Sequence, residues 1–125
     1  MIWLAIALAG ALGSTARYVV DHLISARLPA TLPWGTFLIN VSGSLLAGIV
    51  ASLTAGQILG PAVALVVAGG FLGAYTTFST AMYESVKLLE QGAHRQAVTN
   101  LTLPLVASIA AAALGWQLGA LLVPR

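Results

Sequence analysis

The chain lacks cysteine and has almost no charge. Without Cys, neither a disulfide framework nor a thiolate metal site is possible. Three acidic residues and five Lys or Arg amount to 6% of 125 residues. A water-soluble domain carries about 25%. So few charges cannot cover a soluble globule, which argues against a cytosolic enzyme and a disordered chain. The net charge of +2 is too thin for a nucleic-acid patch. A catalytic constellation is also lacking. The only two His, His22 and His94, both read as loop residues, and no Ser-His-Asp spacing or phosphate loop is present.

What is present is apolar: 59% of the residues are hydrophobic, with a mean hydropathy of +0.98. A span takes roughly 20 apolar residues. Four spans with short loops therefore use up residues 1–125 as a single all-α membrane domain. The spans are predicted at about 2–20, 35–55, 62–89 and 97–123. Between them lie Asp21, His22, Arg27, Pro29 and Pro33, then Gln57, Gly60 and Pro61, then Glu90 to Arg95. The runs lack the alternation of a membrane barrel strand, and helices satisfy their own backbone groups in lipid. Small residues recur four apart at Gly10 and Ser14, Gly43 and Ala47, Gly69 and Gly73, and Gly115 and Gly119. This spacing lets helix backbones approach closely.

Polar residues inside spans carry the functional signal, because facing lipid is costly for them. Asn40 and Ser44 share a face of the second span. Thr76, Thr77, Ser79 and Thr80 form a hydroxyl cluster in the third, with Glu84 one turn beyond. The fourth holds Thr99, Asn100, Thr102 and Ser108. Isolated hydroxyls usually bond their own helix's carbonyls and do nothing else. The dense cluster is different, because it follows Gly69, Gly70 and Gly73. Gly weakens a helix, and hydroxyls satisfy the backbone groups that a break releases. A third helix broken near its middle is expected, with carbonyl oxygens able to hold a hard cation such as Na⁺. Two readings are open for Arg17: snorkelling to the interface, or an anchored cation lending positive potential to an anion route. Glu84 is equally open, as a pathway residue or an interfacial carboxylate near Lys87.

The segments GALGSTARY (Gly10 to Tyr18), PWGTFLINVSGSLLAG (Pro33 to Gly48) and GFLGAYTTFST (Gly70 to Thr80), followed by Glu84, resemble the helix signatures of the small bacterial fluoride channels, the Fluc or CrcB family. The resemblance runs through the whole chain in order, length and span count. It implies an antiparallel dimer in the bacterial inner membrane, with two fluoride pathways along the subunit interface. Such a channel passively exports cytoplasmic fluoride and so limits its toxicity. It also implies a central structural Na⁺ held by the backbone carbonyls of Gly73 and Thr76. Asn40 and Phe78 match pathway residues, with Thr77, Thr80 and Ser108 as further donors. The chain departs from the family at Ala81, where a second Phe is usual. In the fourth helix Asn100, Pro104 and Ser108 stand at positions often held by Tyr and Ser.

Two other functions compete. Small proton-driven multidrug exporters share the size and the dimeric habit, but need an acid embedded in the first helix, and the predicted first span has none. A non-conducting or half-conducting partner subunit is the other. Four spans put both termini on one side, with Arg125 as its only Lys or Arg. The first and third loops share the opposite side with Arg27, Lys87 and Arg95, and Arg17 lies close by. The positive-inside rule then places those loops in the cytoplasm. A dual-inserting homodimer needs balanced charge, so the bias favours a heterodimer with a homologous subunit of opposite orientation.

Overall fold

A computed structural model of the chain describes residues 1–29 and 31–124; Ala30 and Arg125, the cation counted on the termini side, lie outside the described residues. The described residues form helices and short connections, without a strand. The first helix, α1, is Ile2–Ser25, and α2 is Trp34–Ala55. The third span, Pro61–Glu90, is assembled from α3 (Pro61–Ala64), a π-helical segment (Leu65–Leu72), α4 (Gly73–Tyr75) and α5 (Ser79–Glu90). The last helix, α6, is His94–Ala120. The shortest of the four spans has 22 residues. At about 1.5 Å per residue that exceeds the roughly 30 Å hydrocarbon core. The chain is a multi-pass membrane protein.

The helix ends differ from the sequence reading at the end of α1 and at both ends of α6. Helix α1 continues past Val20, so Asp21 and His22 are helical rather than loop residues. No Pro interrupts that stretch before Pro29, and the His22 ring stacks on Tyr18 one turn back, with centroids 6.3 Å apart. His94 likewise opens α6, which ends at Ala120. Hydropathy marks where lipid stops, and a helix is free to continue into the interface beyond it.

Close packing is built on glycine. Along the contact of α2 with α6, a Cβ at Gly48 would strike the Ala112 carbonyl. One at Gly115 would strike the Leu45 carbonyl, and one at Gly119 would meet Ser52 and Ile49. On the other side α1 presses on the π-helical segment, where Gly13 faces the Phe71 carbonyl and Gly70 faces Ile6 and Ala9. The expected pair Gly115 and Gly119 is thus a true close approach, and Gly43 meets Thr76 and Tyr75 of the third span. Gly10 makes only ordinary contact, 3.7 Å from the Gly70 carbonyl. Gly69 and Gly73 meet only atoms of their own span, because both lie on its exposed side. The buried apolar core is small: Ile39, Leu72, Tyr75, Ala81 and Ala97. Large side chains such as Leu8, Leu105 and Ile109 stay outside, as lipid is no worse a solvent for them than protein.

Candidate functional site

The third span breaks after Tyr75. Thr76 is extended, with φ −77° and ψ 158°. Its N–H and its Oγ1 both donate to the Leu72 carbonyl, at 2.9 and 3.0 Å. The next residue leaves the helix ladder altogether. The Thr77 N–H donates to Asn40 Oδ1 at 2.8 Å, and Asn40 Nδ2 donates to the Thr77 carbonyl at 2.8 Å. One side-chain amide of α2 therefore supplies both backbone partners that Thr77 has lost. Helix α5 restarts on Thr77 as well. Thr77 Oγ1 accepts the Thr80 N–H at 3.2 Å and donates to Thr80 Oγ1 at 2.9 Å. This side-chain oxygen caps the new helix in the manner of an N-cap.

The break leaves oxygens over. Among the described residues no hydrogen bond ends on the carbonyls of Gly73 or Thr76. The wide turns of the π-helical segment lead into them, with the Gly73 N–H reaching back to Ala68. Such segments are concentrated at functional sites.

Beside the break lies a cavity of about 250 Å³. Asn40, Thr77, Phe78 and Ser108 line it together with Ser44, Ala81 and Asn100. Four residues expected on a pathway thus share one space, and Thr80 is tied to it through Thr77. Phe78 is 77% exposed, while Ala81 is buried where the resemblance leads one to expect a second ring. Asn100 is buried too. Its Nδ2 donates to the Ala81 carbonyl at 3.2 Å and to Ser85 Oγ at 2.9 Å. It therefore braces α6 against α5. Thr99 and Thr102 only bond carbonyls one turn back on α6.

Glu84 belongs to a second, larger cavity, of about 500 Å³, at the far end of α5. Asp21, Ser25, Trp34, Lys87 and Gln91 are among its walls. Glu84 Oε1 accepts from Thr36 Oγ1 at 2.9 Å, and Oε2 is buried without a partner. The carboxylate is therefore held on α2. Sequence reasoning gave Thr36 no role, although it stands four residues before Asn40 on the same face. Asp21 lies against Gly35 in the last turn of α1. The first helix is thus not free of acid, but its acid is at the rim and not at mid-membrane. Arg17 is half-buried and makes no side-chain hydrogen bond among the described residues; it lines neither cavity.

The family model described as CrcB-like protein, Camphor Resistance (CrcB), matches residues 4–116. A relative from Leifsonia xyli subsp. xyli is 42% identical over 98% of this chain and 90% of its own length. It is named Fluoride-specific ion channel FluC 1. A relative of the same name from Symbiobacterium thermophilum is 43% identical over 95% of this chain and 98% of its own length. One from Clostridium acetobutylicum, Fluoride-specific ion channel FluC 2, is 40% identical over 95% of both chains. These relatives are named as channels and not as enzymes. A match of this extent, on a fold of four membrane helices with the third one broken, shows that the chain belongs to the CrcB family.

Proposed function

We propose that this chain is a subunit of a fluoride-selective channel that lets cytoplasmic fluoride leave the cell passively. The observation that carries this reading is the cavity at the broken helix, where Asn40, Thr77 and Ser108 meet the exposed Phe78. A fluoride ion sheds water only where donors replace it. One amide hydrogen of Asn40 is used on Thr77, and the second remains for an anion. A ring edge is the positive end of the aromatic quadrupole, so Phe78 can also face an anion. The names of the relatives support fluoride as that anion.

A structural Na⁺ fits the same break. The carbonyl oxygens of Gly73 and Thr76 lack N–H partners, and neutral oxygen is the donor a hard cation takes. Gly73 lies on the exposed side of the span, which suits an ion shared between two subunits. When bound, the ion would fix the break by charge. A dimer more heat-stable in sodium than in N-methylglucamine is expected, and equal stability in both would remove the ion.

The second subunit is read as antiparallel. Ser79 and Thr80 are exposed beside Phe78 at membrane depth, and lipid is a poor cover for hydroxyls. Ala81 and the cations on one side favour a homologous partner over a second copy. The function is tested by following ion release from liposomes with an electrode, for the chain alone and with a co-expressed family member. Fluoride is expected to leave far faster than chloride. Equal rates would sink the reading.

A further inference from the structure

We propose that Tyr83 and Lys87 extend the anion route from the break to the larger cavity, as a ramp of hydrogen-bond donors along the exposed face of α5. This rests on the fluoride reading above and adds residues to it. Tyr83 is 69% exposed on a membrane-spanning helix, and Ser79, Thr80 and Lys87 are exposed as well. On a helix, residues three and four apart are neighbours about 5–6 Å from each other. Ser79, Tyr83 and Lys87 therefore stand in one row, with Thr80 beside it. From Ser79 at the break, Tyr83 lies about 6 Å along the axis and Lys87 about 12 Å. That carries the row to the edge of half a core of about 30 Å. The row ends at the larger cavity, where Lys87 and Gln91 stand among the walls with Asp21 and Glu84.

The acid on this stretch of α5 is kept off the row. Thr36 holds the Glu84 carboxylate on α2, so hydroxyls, a phenol and an ammonium are what the exposed face offers between the break and Lys87. A phenol O–H is a better anion donor than any aliphatic group at that depth, and at the mouth the Lys87 charge offsets the carboxylates of Asp21 and Glu84, which line the same cavity and would otherwise repel an anion. Tyr83 acts as a way-station and Lys87 as a collector, and neither is needed to hold the break.

Tyr83→Phe removes only the O–H. Lys87→Gln removes only the charge. Both are measured by fluoride release from liposomes, in the assembly that conducts. Tyr83→Phe is expected to slow release about tenfold, the effect of losing one good hydrogen bond, with the oligomer unchanged on size exclusion. Lys87→Gln is expected to slow it severalfold at low salt. That difference should vanish near 1 M salt, where the Debye length falls to about 3 Å; a merely structural lysine would not show this. Wild-type rates in both variants would overturn the ramp. A wild type that passes chloride as fast as fluoride would sink the fluoride reading alone, and the same variants would then be scored on chloride. A wild type that passes neither ion, alone or with a partner, would overturn both.

Discussion

Asn40 holds the break and faces the cavity at the same time, so its substitutions separate two roles. Asn40→Ala loses both bonds to Thr77, each worth about 1 kcal/mol net. A loss of about 2 kcal/mol in unfolding free energy is expected, read by denaturation in detergent. Asn40→Asp is worse for the site. A carboxylate only accepts, so its second oxygen would face the Thr77 carbonyl where Nδ2 now donates. Fluoride release should collapse in that variant, and wild-type release would remove Asn40 from the pathway. Thr77→Val takes the cap from α5 and should cost about 1 kcal/mol. By contrast Thr99→Val should change release by less than twofold, since its hydroxyl only bonds Arg95 on its own helix.

The helices pack through glycine more than through large side chains, and this fixes what each element tolerates. Gly115→Leu would drive a side chain into the Leu45 carbonyl of α2. Overpacking of that kind costs about 1–3 kcal/mol or more. Early loss of the folded peak on heating is expected, read by size exclusion. Gly60→Ala has open space and should leave the peak within error. The four spans were legible in the sequence because lipid imposes one simple demand, a long apolar run. The break was legible because Gly69, Gly70 and Gly73 precede Thr76 and Thr77. The π-helical segment was not, since no residue type specifies a wider turn. The close approaches at Gly13 and Gly48 were also missed. Their partners are backbone carbonyls of distant helices, and sequence spacing along one helix carries no record of those. Asn40 was legible as a polar residue at membrane depth, but its clamp on Thr77 is a tertiary fact. The bracing role of Asn100 is another, as it depends on the Ala81 carbonyl and Ser85 across α5.

At the scale of the molecule, four spans place both termini on one side of the membrane. Arg27, Lys87 and Arg95 are exposed and near the opposite side. That bias predicts loops inside and termini outside. A reporter active only in the cytoplasm, fused to the C-terminus, should therefore give little signal; strong signal from half the copies or more would refute a fixed orientation. In the proposed dimer a second subunit would cover the polar face of α5, and the buried Ala81 would leave one pathway weaker than the other. These expectations stand or fall with passive fluoride conduction. The most direct measurement is the reversal potential in a planar bilayer, with the chain alone and with its partner, under opposed fluoride and chloride gradients. Current that reverses at the fluoride equilibrium potential is predicted. Reversal at the chloride potential, or a current that follows a proton gradient instead, would contradict a fluoride channel.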